Sequence, residues 1–166
     1  MGLSRRQMLA AAAAMGAAGA VSVGVAWWDR PAAAGYLHLS AEEADFLDAV
    51  AAAVFPAGGE PAMGGREAGV AHFLDEVWTG LQPAQRRLIR LSFHALDALP
   101  RATHLSAFRE LEEDRAREVL RGWLDHPVAE LRGLVTSLHM FAALAWTTHP
   151  AVAPHYAAQF PCGFGR

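Results

Sequence analysis

Apolar side chains recur along residues 41–146 at the three-and-four spacing of a helix, and prolines or glycine clusters cut the recurrence into separate segments. Val70, Phe73, Leu74, Val77, Trp78 and Leu81 give the clearest stripe, at i, i+3, i+4, i+7, i+8 and i+11, which predicts a helix over about 67–80 with one buried face. Ahead of it, Ser40-Ala41-Glu42-Glu43 forms a capping box that should open a helix over 41–55, carried by Phe46, Leu47, Val50 and Val54. Pro56 and the glycine-rich stretch after it should stop that helix. Pro83 suits a first helical position, and Leu88, Leu91, Ala95 and Leu99 are expected to line one side of a third helix over 83–98, closed by Pro100. Phe108 and Leu111 suggest a short helix. Val119, Leu120, Trp123 and Leu124 continue the period after a break near Glu112. Following Asp125-His126-Pro127, a cap and a first-turn proline, residues Leu131, Leu134, Val135, Leu138, Phe141, Ala142 and Ala145 mark the longest helix, expected to be the central one. Beyond Trp146, Pro150, Pro154, Pro161, Gly163 and Gly165 should keep the tail mostly irregular. No segment alternates with period two for long enough to predict a strand. The fold class is all-α: an irregular bundle of about five helices after an N-terminal signal helix, with an irregular C-terminal tail.

The first 34 residues read as an address. Ser4-Arg5-Arg6-Gln7-Met8-Leu9 sets two arginines before an uncharged run, Met8 to Trp28, built mainly of Ala, Gly and Val. That run is long enough to span a bilayer, but its residues give little transfer free energy compared with Leu or Ile. Ala32 and Ala34 supply the small residues of a signal-peptidase site, with cleavage expected between Ala34 and Gly35. Paired arginines, a weakly hydrophobic run and an Ala-x-Ala site resemble a twin-arginine signal, with Ser4, Arg5, Arg6 and Leu9 read by the export machinery. Such leaders direct already folded proteins outward. Residues 1–34 are thus expected to be signal and 35–166 a helical domain. An uncleaved leader, acting as an anchor with Arg5 and Arg6 on the cytoplasmic side, is the competing reading.

Composition excludes several classes of function. The 166 residues carry a net charge of -3, all the non-histidine bases are Arg, and they are interspersed with acids, so no basic face is available for a nucleic-acid backbone. A single cysteine, Cys162, excludes an internal disulfide, a zinc site of cysteine pairs and a covalent haem attachment. In an oxidising compartment that odd thiol points to pairing with another chain or to burial. No Gly-x-Ser-x-Gly elbow, phosphate-binding Gly-rich loop or dinucleotide fingerprint occurs. The eight histidines include no His-Glu-x-x-His and no ligand pair on one helix face. A self-sufficient exported enzyme or metal-binding domain would have to assemble His72, His94, His139 and Asp75 through the fold. Adjacent acids such as Glu42-Glu43 read as caps or solvated faces.

Large aromatics are numerous for so small a domain. Trp78 and Trp123 fit the core stripes, and His139 a core or interface position. Trp146, Phe160 and Phe164, in or beside a segment with no helical partner of its own, are expected to bind another protein together with Cys162.

Leu39-Ser40-Ala41-Glu42-Glu43, the helix ending in Val54-Phe55-Pro56, the glycine-rich loop and Gly64-Gly65-Arg66-Glu67-Ala68-Gly69-Val70-Ala71-His72-Phe73-Leu74-Asp75, behind a twin-arginine leader, resemble the gluconate 2-dehydrogenase subunit 3 family. The resemblance covers most of residues 1–146. It implies a non-catalytic small subunit of a periplasmic, membrane-associated flavin dehydrogenase for sugars, sugar acids or polyols. No cofactor is implied in this chain: FAD belongs to the catalytic subunit, and haem c to a cytochrome c subunit where one joins the complex. The small subunit carries the signal for the flavin subunit, which crosses as a folded passenger and depends on its escort to mature. The family's longer ending is represented here only by Phe160 to Gly165.

Overall fold

The computed structural model describes residues 30–159. Among them every regular element is helical: α1 (Ala41–Val54), α2 (Val70–Trp78), α3 (Pro83–Ala98), α4 (Arg101–His104), a 3-10 turn (Phe108–Glu110), α5 (Glu113–Leu124), α6 (Ala129–Thr148) and α7 (Ala153–Gln159). The expected all-α bundle is observed, while the predicted signal helix falls outside the described residues.

α1 starts where the capping box places it. The Ser40 hydroxyl accepts from the Glu43 amide at 3.4 Å, and the Ser40 amide donates to the Glu43 carboxylate at 2.7 Å. α1, and not the longer α6, is the central helix, because it packs against α2, α3, α5, α6 and the 3-10 turn. Its sequence explains this. Ala44, Ala49, Ala51 and Ala53 are all buried beside Phe46, Leu47 and Val50, and small side chains around a helix let neighbours approach from several directions. Phe46 sits between Phe93 and Phe108, with ring centroids 5.7 Å from each, and Trp78 stacks on Phe93 at 5.6 Å.

Three elements depart from expectation. α2 begins at Val70 and not near 67, because Gly69 takes a left-handed conformation with φ of +67° and residues before it form a turn. α6 is entered through Val128, whose amide donates to His126 Nδ1, so Pro127 precedes the helix and does not occupy its first turn. The tail contains α7, where Pro154 lies in the first turn and removes no hydrogen bond the helix needs. Here Ala151 N–H donates to His149 Nδ1, so His149 caps the turn.

The largest correction concerns α3. Its bounds agree with prediction, but Leu88, Leu91, Ala95 and Leu99 all face outward. The buried residues are Arg90, Phe93, His94, Leu96 and Asp97. An apolar count finds such a stripe but not which way it faces, since polar groups buried in ion pairs are invisible to it.

Candidate functional site

Residues 30–40 form a strap that crosses the bundle before α1. Asp75, buried on α2, accepts three consecutive strap amides: Leu37 at 2.5 Å, His38 at 2.8 Å and Leu39 at 2.9 Å. A single carboxylate thereby satisfies backbone donors that would otherwise meet the core unpaired. From α3, Arg90 donates to the carbonyls of His38 and Arg30, and Arg86 reaches His38 Nδ1 at 2.9 Å. Tyr36 stacks on His72 with ring centroids 4.4 Å apart, and burial followed by the nearby Asp48 and Asp75 charges raises its phenol above the usual range. Arg30 pairs with Glu42.

Behind the strap lies a second buried cluster. Glu43 is 1% exposed, with Arg90 Nε 3.3 Å and His94 Nε2 3.2 Å from its Oε1. Burial pushes its carboxyl upward, but the hydrogen bonds from His94 and the Ser40 amide, with the Arg90 charge, outweigh this and hold it below the usual carboxylate range. Asp97, further along α3, pairs with Arg109 and accepts its amide. Buried acids and bases thus meet in matched sets, each fixing one element to another.

The segment Gly64 to Asp75 has a structural duty at nearly every step. A Cβ on Gly65 would lie 2.1 Å from the Ala51 carbonyl oxygen, so only glycine lets this loop pack against α1. The Gly65 amide donates to Phe55 O at 2.7 Å, and Glu67 accepts from the Gly64 amide. Val70, Ala71 and Leu74 enter the core, His72 holds Tyr36, and Asp75 holds the strap. The profile of the gluconate 2-dehydrogenase subunit 3 family matches residues 41–156, which include this segment. The chain belongs to that family. Comparison with curated proteins and with solved structures finds no match. As a gluconate 2-dehydrogenase subunit 3 protein, the chain is related to a component of a dehydrogenase complex, and the residues carrying the resemblance are those that build its fold.

In this family member the residues proposed for an autonomous metal site have other partners. His72 stacks on Tyr36, His94 approaches Glu43, Asp75 is occupied by strap amides, and His139 lies with its ring 6.4 Å from that of Phe55. Among the described residues no group of three or more His, Cys, Asp and Glu side chains is arranged to hold a metal ion. Ala32 and Ala34 are exposed on the strap, while Ala33 between them is engaged: its amide donates to Leu39 O at 2.9 Å and its carbonyl accepts from Tyr36 at 3.0 Å. Ser4, Arg5, Arg6 and Leu9, like Phe160, Cys162 and Phe164, lie outside the described residues.

Trp146 is placed inside the molecule. It is buried in a small second cluster with Ala68 and Val152, stacks on Phe55 at 4.3 Å, and donates from Nε1 to Met63 O at 2.9 Å. The exposed face of the same helix is a different set, Met140, Phe141 and Leu144. They border an apolar groove in which Phe141 and Ser137 meet Val77, Trp78, Leu81 and Ile89. Sequence reasoning missed this face by counting Phe141 in the same stripe as Leu138 and Ala142. The signal was present: seven apolar positions on α6, with Met140 and Leu144 besides, are more than one buried stripe needs.

Proposed function

We propose that the chain is the non-catalytic small subunit of a periplasmic flavin-dependent sugar, sugar-acid or polyol dehydrogenase, and that it escorts the flavin subunit through the twin-arginine pathway. The observation that carries this reading is the exposed, charge-free face of α6. Met140 is 66% exposed and Leu144 46%, beside a groove almost without polar lining, which is the composition of a protein interface core. Family membership supports a subunit role. The flavin subunit docks on Met140, Phe141 and Leu144, and Trp146 supports that helix from behind. The tail residues Phe160, Cys162 and Phe164 bind the same partner, and Arg5 and Arg6 are read by the export machinery. Where a cytochrome c subunit joins the complex, it takes the electrons from the flavin subunit.

Affinity capture of the tagged chain from periplasm tests this. The eluate should carry a flavoprotein with sugar-oxidising activity, and Met140→Glu with Phe141→Glu should remove it without lowering the Tm of the small subunit. Arg5→Lys with Arg6→Lys should leave both proteins in the cytoplasm. Flavin-free eluates, undiminished capture by the double variant, or turnover by the isolated chain would each refute the proposal. The hydrogen-bonded turn at Ala33 also favours the uncleaved-leader reading, in which the escort stays anchored, because peptidases bind extended substrate and this segment is folded. An N-terminal mass distinguishes the two.

A further inference from the structure

α3 is polarised inside out. Arg90, His94 and Asp97 point inward to Glu43, to strap carbonyls and to Arg109. Leu88, Leu91, Ala95 and Leu99 form an outward stripe at i, i+3, i+7 and i+11, with Leu88 66% exposed. Leucine at three of four stripe positions is a surface that water does not favour.

At the N-terminal end of this helix the surface becomes cationic. Arg86 and Arg87, with Arg30, His38 and Arg90, line an open pocket of about 380 Å³. Glu42 and Glu43 answer Arg30 and Arg90, and Asp75 is taken up by strap amides. Arg86 and Arg87 have no carboxylate partner among the described residues, and Arg86 Nε is buried without an acceptor. Leu37 projects beside them, 65% exposed. Uncompensated arginines bordering exposed leucines are the chemistry of a lipid interface, where headgroups take the charge and acyl chains the apolar stripe. The α6 face offers no such charge, so its occupant differs.

A leader in the bilayer would bring the membrane to this end of the bundle. The uncharged run ends at Trp28, and Arg30, two residues on, lines the pocket. Two residues reach about 7 Å at most. Because Asp75 and Arg90 fasten the strap, a leader in the bilayer would hold this end of the bundle at headgroup depth. We propose that the Arg30–Arg86–Arg87 pocket binds the phosphodiester of anionic phospholipids while the α3 stripe lies in the interface, so that the bundle rests on the membrane by this end. The proposal rests on the uncleaved-leader reading given above, in which the leader stays in the bilayer.

Flotation of the full-length chain with vesicles of phosphatidylcholine, alone or with about one-third phosphatidylglycerol, tests it. Arg87 is exposed, so Arg87→Gln should keep the wild-type Tm yet weaken binding to the anionic vesicles about fivefold; Arg86→Gln should weaken that binding as much, and neither should change binding to neutral vesicles. Leu88→Gln with Leu91→Gln should weaken both. The leader is identical throughout, so these differences belong to the bundle. Equal anionic binding by wild type and both arginine variants overturns the proposal. So does a Tm rise with millimolar inorganic phosphate that needs Arg87 while vesicle binding does not, which would make this a soluble-anion site. Loss of flavoprotein capture by the leucine variant, with vesicle binding unchanged, overturns it as well and assigns the stripe to the partner. A wild type that ignores neutral vesicles but binds anionic ones through Arg86 and Arg87 refutes the leader's insertion and upholds the pocket.

Discussion

Asp75→Ala removes the acceptor of three strap amides and tests whether this carboxylate holds the strap in place. A hydrogen bond to a charged group contributes about 1.5–3 kcal/mol, so three give a ceiling of about 5–9 kcal/mol. The loss should fall well below that ceiling. Leu37 is exposed and His38 half-buried, so their amides can turn to water once released. Leu39 is fully buried, and its amide is either left unpaired or freed by withdrawing the side chain, each costing about 2 kcal/mol. With some loss of the Tyr36–His72 stack, the expected destabilisation is about 3 kcal/mol, a fall in Tm of about 10 °C for a domain of this size. Asp75→Asn keeps one oxygen acceptor without the charge and should lose less. Thermal unfolding gives the total, and hydrogen exchange at Leu37, His38 and Leu39 shows where it arises. A loss under about 1 kcal/mol with those amides still protected would refute the assignment. In cells, the same variant should be cleaved after Ala34 faster than wild type, because the turn that engages Ala33 is released with the strap.

Gly65→Ala should destabilise by about 2 kcal/mol or more, read by chemical denaturation, since the added methyl meets backbone and not a movable side chain. Glu43→Gln should cost about 3 kcal/mol by leaving Arg90 and His94 beside a neutral group in the core. Its pH signature has a definite sign. The folded Glu43 is held below its ordinary value of 4.5, so its contribution is complete above pH 4.5 and is lost as pH falls through the lower, folded value. Wild-type stability should therefore drop on acidification below about pH 4.5 more steeply than that of Glu43→Gln, and parallel profiles would contradict the ion pairs.

Much of the fold was legible because local signals and burial agreed. The Ser40–Glu43 box, the α2 stripe and Pro83 each fixed an element that the structure repeats. The failures share one physical origin. Periodicity counts apolar residues, so on α3 it found the side that Leu88, Leu91, Ala95 and Leu99 line but not which way that side faces. The helix in fact turns its charged side inward, toward a glutamate on α1 that reads locally as a cap. Long-range pairing of Glu43 with Arg90, or of Asp75 with residues 37–39, has no local signature. Trp146 was misleading for a related reason: its pocket is assembled largely from Met63 and Ala68, distant in sequence, with Val152 closing it from the tail. On α6, surplus apolar residues were legible but could not be divided between core and surface until α1 proved to be the centre.

Buried ion pairs seldom maximise stability, because desolvation offsets most of their attraction. Their persistence behind the strap is better explained by orientation. Arg90 bonds to Glu43 and to the carbonyls of His38 and Arg30, so the cluster determines how the segment after the leader sits on the bundle. Replacing the cluster by Glu43→Met, Arg90→Leu and His94→Leu separates the two roles. Apolar substitution of a complete buried set is near neutral, although the Ser40 amide loses its Glu43 acceptor, so global stability should stay within about 1 kcal/mol of wild type. The strap should not survive so well. Without Arg90 its carbonyls lose their donors, and residues 30–36 should become sensitive to protease while the α1–α6 core keeps its exchange protection. If strap protection matched wild type, Asp75 alone would hold the segment and the cluster's part in orienting the leader would be disproved.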